Sequence, residues 1–167
     1  MKMSFRYEIF YEDEGIEQGL FPVIDCCEQH SLTQEKFFRS YMDKNFIYVE
    51  IIPYWFYFLQ NIDIILEIIK NIFSSKIEKE IDIPNAINLH PVGANLYMKI
   101  TPIETSFKLS QKENFSGPIP TEFLLLLLQA WRKYIESGTE ETWKVDIPFD
   151  FDRELYREHA LIRKKQA

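Results

Sequence analysis

The stretch IIPYWFYFLQNIDIILEIIKNIFSS, residues 51–75, is the most apolar part of the chain and decides whether the protein crosses a membrane or folds around a core. A bilayer span needs about 20 consecutive, mostly apolar residues. From position 61 onward, polar residues recur on one face of a helix with 3.6 residues per turn: Asp63, Glu67, Lys70, Asn71 and Ser74. The stretch therefore predicts an amphipathic core helix with Asn61 as its N-cap, and no membrane partner.

On both sides of this helix, several segments have the patterns of β-strands. Residues 4–11 and 20–29 predict a hairpin around an acidic, glycine-containing turn, with Pro22 at an edge or a bulge. β-Branched and aromatic runs predict further strands at 46–52, 95–109 and 143–147. The run 95–109 is either one bent strand or a pair of strands. Residues 76–93 are either an edge strand or an extended loop, and 111–120 predicts a loop because it contains Gly and Pro.

Three further helices are predicted from capping signals and apolar periodicity. A helix over 31–42 starts with a capping box, and a helix over 153–165 starts after Asp152. The clearest helix covers 121–138, with Thr121 as its cap and Gly138 just past its end. Its five consecutive leucines, 124–128, wrap most of the circumference, which indicates a largely buried helix.

The order of these elements is not a regular βαβ repeat. It favours an α+β fold in which helices pack on one face of a mostly antiparallel β-sheet. The chain has 167 residues and shows no internal repeat and no linker, so we expect a single domain over 1–167.

The composition argues against several kinds of partner. A formal net charge of -7 repels nucleic acid and anionic lipid surfaces, so no nucleic-acid partner is predicted. The two cysteines are adjacent, at positions 26 and 27, and cannot form a disulfide framework. Reduced thiols and an N-terminus without the features of a signal peptide predict a cytoplasmic protein.

No motif in the chain assigns a catalytic, cofactor-binding or metal-binding residue. The five glycines form no phosphate-binding loop, so no nucleotide cofactor is predicted. Cys27 and His30 are three positions apart, but a metal or nucleophile site needs more convergent groups. The acidic run DIPFDFDRE, 146–154, lacks the glycine of a calcium loop, and capping of the last helix by Asp152 accounts for it.

The strongest candidate for a functional surface is acidic. The first 50 residues carry ten acidic and five basic side chains, and residues 7–20 carry five acidic and no basic ones. An exposed acidic hairpin tip can steer a basic partner. We therefore assign a partner-binding role, as a hypothesis, to Glu12, Asp13, Glu14 and Glu17, against the alternative of a solvated turn.

A second candidate surface is the aromatic run YWFYF, residues 54–58. Aromatic side chains are enriched among the residues that dominate protein interfaces. Most of the run is expected in the core, with one or two side chains exposed for a contact with a partner or a second copy. Trp55 is the residue that we assign to partner binding.

The overall layout resembles bacterial immunity proteins, which neutralise cognate toxins. The resemblance covers the whole chain at the level of size, acidity and layout: an N-terminal hairpin, IPYWF leading into an amphipathic helix, and a late Leu-rich helix. It implies a non-enzymatic, cytoplasmic protein, a monomer or homodimer, that occludes a basic toxin domain. Glu12, Asp13, Glu14 and Glu17 would then mimic phosphate charge. One alternative is a small hydrolase that uses carboxylates or Cys27 and His30. Another is a structural or homo-oligomeric domain.

Overall fold

The computed structural model describes residues 3–13, 20–26, 52–83, 95–109 and 116–149. Within them, seven strands form two antiparallel sheets, and two long helices pack against the sheets. The strands are β1 (Met3–Asp13), β2 (Leu20–Cys26), β3 (Lys79–Ile83), β4 (Leu96–Ile100), β5 (Glu104–Leu109), β6 (Ser116–Pro120) and β7 (Trp143–Phe149). The helices are α1 (Ile52–Trp55), α2 (Leu59–Ser75) and α3 (Thr121–Ser137). The predicted α+β fold class is confirmed.

The predicted N-terminal hairpin is confirmed, because β1 and β2 pair antiparallel with Ile9 opposite Ile24. β1 also pairs with β7, so the three-stranded sheet has the order β2-β1-β7. Pro22 lies in β2, at the edge of this sheet, as predicted. The predicted helices at 31–42 and 153–165, and positions 46–51 of a predicted strand, lie outside the described residues. Ile52, placed at the end of that strand, begins α1 instead.

Helix α3 runs along β1 in the same direction, which closes the core over the three-stranded sheet. The Phe123 ring centroid lies 6.3 Å from that of Tyr7 near one end. Near the other end, the Tyr134 ring centroid lies 5.9 Å from that of Tyr11 and 5.2 Å from that of Trp143. The helical rise from Phe123 to Tyr134 is about 16 Å, and the strand rise from Tyr7 to Tyr11 is about 14 Å. The two aromatic side chains of α3 therefore match two positions on the same face of β1.

The second sheet has the order β3-β4-β5-β6, and all its neighbours are antiparallel. The run 95–109 is thus a pair of strands, and part of 76–93 is an edge strand. The prediction of a loop over 111–120 is wrong for residues 116–120, because they form strand β6, which pairs with β5. Proline is tolerated in an edge strand, where it removes no inward hydrogen bond. Within the described sheets, β2, β6 and β7 are all edge strands that contain proline, which discourages further strand pairing.

The amphipathic helix of the opening stretch is confirmed as α2. Its apolar face is buried, at Ile62, Ile65, Leu66, Ile68, Ile69 and Ile72, and the five polar positions named above are all exposed. Two predicted caps are wrong. Phe58, not Asn61, is the N-cap residue of α2, and Pro120, not Thr121, is that of α3. The Thr121 hydroxyl is buried and donates to the Thr101 carbonyl at 2.7 Å.

An ion-pair network ties the exposed faces of the two long helices together. The Arg132 guanidinium of α3 binds both carboxylate oxygens of Asp63 on α2. It also donates to Glu136, one turn further along α3, at 2.7 Å. The hydrogen bond from Arg132 lowers the pKa of the Asp63 carboxyl. The network fixes how the two helices lie side by side, although exposed pairs of this kind contribute little to stability.

Both long helices end in a left-handed residue, and these two ends predict opposite mutational effects. Gly138 follows α3 with φ 68°, and Lys76 follows α2 with φ 61°. A left-handed conformation costs a residue with a side chain roughly 1 kcal/mol. We expect Gly138→Ala to lower the free energy of unfolding by about 1 kcal/mol, and Lys76→Gly to raise it by up to about 1 kcal/mol. Urea denaturation of both variants measures the two shifts.

The two ends also control for each other. A Cβ at Gly138 meets no atom within 4 Å, so any loss in Gly138→Ala comes from backbone conformation and not from a clash. Equal destabilisation by both substitutions would contradict the prediction, because only one of them introduces a side chain at a left-handed position.

Candidate functional site

A bend at residues 56–58 joins α1 to α2 and positions the candidate site. Its backbone is held by side chains from two directions. The Asn61 amide donates to the Trp55 carbonyl at 3.3 Å. The buried Trp131 indole of α3 donates to the Phe56 carbonyl at 2.7 Å. Because both carbonyls lie at the end of a four-residue helix and cannot find a partner within it, these bonds replace the missing helical ones.

The bend presents Tyr57 and Phe58 to an open pocket of about 450 Å³. The pocket also contacts β1, the start of α2 and the end of α3, through Tyr11, Leu59, Gln60 and Ile135. We call these six residues the aromatic pocket. The rings of Tyr57 and Phe58 meet edge to face, with centroids 5.2 Å apart. Phe58 is 45% exposed, so its ring is accessible from solvent.

The aromatic pocket lies at an acidic end of the molecule. β1 pairs with β7 only up to Ile9 opposite Trp143, so Tyr11 and Glu12 extend beyond the start of β7. The loop at residues 138–142 carries the exposed Glu140 and Glu141 there. Burial raises the pKa of Tyr11 above its usual value, and the Tyr57 phenol and the Glu140 carboxylate raise it further. Glu140 therefore acts on the pocket directly through its charge.

Tyr134 connects this end to the core beneath it. Its hydroxyl donates to the Glu141 carbonyl at 2.9 Å, which holds the acidic loop. Its ring is fully buried between Tyr11 and Trp143. Burial raises the pKa of Tyr134, and Tyr11 and Glu140 add to this effect. Both phenols thus stay protonated at neutral pH and remain able to donate hydrogen bonds.

The residues predicted for partner binding differ in their exposure and in whether the structure describes them. Glu12 is exposed at the end of β1. Asp13 is the last residue of that strand, and nothing is described of its side chain. Glu14 and Glu17 lie outside the described residues. Trp55 is fully buried and so is not available as a surface contact, whereas Phe58, three residues later in the bend, is exposed.

The structure adds three residues that sequence reasoning missed: Tyr11, Phe58 and Glu140. Phe58 belongs to the aromatic run, but its exposure depends on the bend that Trp131 holds. Tyr11 follows the strand alternation of Tyr7 and Ile9, which predicts only a core position. No sequence signal links Glu140 to Tyr11, since the two residues lie 129 positions apart.

Other candidate sites are less developed. A smaller pocket of about 190 Å³ lies between α2 and β3, beside the exposed Ile77. Cys27 and His30 lie outside the described residues. Asp146 pairs with Arg6 at 2.9 Å across the three-stranded sheet.

In the described part of the chain, no group of three or more His, Cys, Asp or Glu side chains could hold a metal ion. Among those same residues, no helix is long and apolar enough to span a bilayer.

No protein-family model, curated protein or solved structure significantly matches this chain. The resemblance to immunity proteins therefore stays an expectation. We base the functional assignment on the geometry of the chain's own residues.

Proposed function

We propose that this protein is a non-enzymatic binding protein that neutralises a basic partner protein, as immunity proteins neutralise toxin domains. The observation that carries the proposal is the aromatic pocket at the acidic end of the molecule. Interfaces of high affinity commonly combine exposed aromatic anchors with complementary charge. Here Phe58 and Tyr57 supply the anchors, and Glu12 and Glu140 supply the charge.

The proposal gives the two features separate roles. Long-range attraction by an acidic surface raises the rate at which a basic partner arrives, and this effect falls as salt is added. Burial of aromatic side chains then slows dissociation. The acidic tip therefore governs association, and the aromatic pocket governs the lifetime of the complex.

The first test identifies the partner and measures its dependence on charge. Tagged protein is incubated with lysate of the source cells at low and at high salt, and the retained proteins are identified by mass spectrometry. The wild type is compared with a variant carrying Glu12→Lys, Asp13→Lys, Glu14→Lys and Glu17→Lys. We expect one basic protein, released by salt, whose association rate with this variant falls at least about tenfold at low salt.

A matched control separates local charge from net charge. The substitutions Glu67→Lys, Glu78→Lys, Glu80→Lys and Asp82→Lys produce the same change in net charge at exposed positions of α2, β3 and the connection between them. The control is expected to bind nearly as fast as the wild type. Equal slowing of both variants, or a retained protein that is itself acidic, would contradict a role for the hairpin tip.

A further inference from the structure

The aromatic pocket has a chemistry that selects among side chains of a partner. Its walls are mixed: the rings of Tyr11, Tyr57 and Phe58 and the side chains of Leu59 and Ile135 supply apolar surface, and polar atoms supply nearly as much. Gln60 adds one amide. A volume of about 450 Å³ admits a long side chain from a second protein. The faces of aromatic rings carry partial negative charge and attract cations within about 6 Å.

The charge around the pocket favours a cationic occupant. Glu140 is exposed, and its loop is held beside Tyr11, because the Tyr134 hydroxyl donates to the Glu141 carbonyl while the Tyr134 ring centroid lies 5.9 Å from that of Tyr11. This arrangement places a carboxylate near the pocket. A partner carboxylate would be repelled there. An apolar side chain would contact the rings but would form no favourable interaction with the Glu140 carboxylate.

The molecule contains an internal example of the same contact. On the four-stranded sheet, the Lys108 ammonium lies 5.7 Å from the centroid of the exposed Tyr97 ring. Among the described residues, no cation of the chain itself lies over Phe58 in this way. Phe58 thus presents a ring to solvent in the same pocket as Tyr11, beside the acidic 138–142 loop.

We propose that the aromatic pocket receives an arginine side chain of the partner, with the guanidinium stacked against Phe58 and Tyr57 and attracted by Glu140. The identity of the partner rests on the function proposed above. Arginine fits better than lysine because its guanidinium is planar, stacks on rings and is more weakly hydrated. It also has five N–H donors, and the pocket lining offers the Gln60 amide oxygen as an acceptor.

The test uses the full chain and a small probe in place of the partner. The tripeptide acetyl-Gly-Arg-Gly-amide is titrated into isotope-labelled protein, and the ring signals of Tyr11, Tyr57 and Phe58 are followed by NMR. Counterparts with lysine or with citrulline, the uncharged isostere of arginine, are titrated in parallel. We expect the arginine peptide to shift these signals with the lowest dissociation constant. Equal binding of the lysine or citrulline peptide would overturn the assignment.

Two pairs of matched variants locate the binding. Phe58→Ala and Glu140→Gln are each expected to weaken the arginine peptide by about two- to fivefold. Their controls, Tyr97→Ala and Glu80→Gln, remove an exposed aromatic ring and an exposed carboxylate on the four-stranded sheet and are expected to leave affinity unchanged. Unchanged affinity in Phe58→Ala would overturn the proposal. All four positions are exposed, and circular dichroism verifies that each variant folds.

This test and the charge-reversal test fail independently. If the peptide binds while reversal of the hairpin tip leaves association unchanged, the pocket stands and the steering role of the tip fails. If reversal slows association while the peptide behaves like its citrulline counterpart, the binding function stands and the arginine pocket is rejected.

Discussion

Trp131→Ala is expected to lower the free energy of unfolding by about 3–5 kcal/mol, the largest effect that we predict for this protein. The side chain is fully buried in α3, so its removal leaves a large apolar cavity. It also removes the hydrogen bond to the Phe56 carbonyl. Urea denaturation, monitored by far-UV circular dichroism because the substitution removes one of three tryptophans, measures the loss.

Trp131→Phe separates the hydrogen bond from most of the packing. Phenylalanine keeps an aromatic ring but cannot donate, so the Phe56 carbonyl loses its partner at a cost of about 1–3 kcal/mol. The 56–58 bend also loses its tie to α3, and we expect weaker binding of the arginine peptide. For stability, Tyr134→Phe is the matched control and is expected to cost less, since it removes a hydrogen bond to the Glu141 carbonyl that lies nearer to solvent. A stability equal to the wild type in Trp131→Phe would contradict the proposed tie.

Thr121→Val is expected to lower the free energy of unfolding by about 1–3 kcal/mol, although valine has nearly the same shape. The Thr121 hydroxyl has one hydrogen, which it donates to the Thr101 carbonyl at 2.7 Å. The 2.8 Å contact between the hydroxyls of Thr105 and Thr121 must then have Thr105 as its donor. Both threonines are fully buried, so valine at 121 leaves a carbonyl and a hydroxyl without partners. Urea denaturation measures the loss.

A double-mutant cycle tests this chain of hydrogen bonds. Thr105→Val, Thr121→Val and the double variant are compared, and the double variant is expected to lose less than the sum of the two single losses. The reason is that Thr121→Val already strands the Thr105 hydroxyl, which Thr105→Val then removes. Ser74→Ala, which removes an exposed hydroxyl bonded to the Lys70 carbonyl, is the control and should change stability by less than about 0.5 kcal/mol. Additive losses would show that the two hydroxyls act independently.

Periodicity predicted the elements whose apolar face is set by local sequence. The polar stripe from Asp63 to Ser74 identified the buried and exposed faces of α2, and Gly138 marked the end of α3. The alternation over residues 4–11 predicted a strand, and β1 is that strand, with Tyr7 and Ile9 buried. These predictions succeed because a buried face must repeat with the period of its own secondary structure.

Predictions from local sequence were wrong where a segment or side chain forms its hydrogen bonds with another part of the fold. The Gly and Pro residues of 116–120 are typical of a loop, but pairing with β5 makes them an edge strand. Thr121 has the chemistry of an N-cap, yet its hydroxyl is bonded across to the β4–β5 connection. Asn61 likewise donates to the preceding short helix and caps no helix start. A side chain of this kind can form a hydrogen bond with a local or a distant group, and the packing of the folded chain determines which bond forms.

Composition and local pattern identify the residues from which the candidate site is built: the acidic N-terminal segment, the aromatic run 54–58 and a chain long enough for a full core. Which of these residues meet depends on the folded chain. It buries Trp55, turns Phe58 outward and brings Tyr11 into the field of Glu140. The physical reason is that exposure depends on contacts between β1, the 56–58 bend and the end of α3. These contacts join residues that are far apart in the chain, and no local pattern records them.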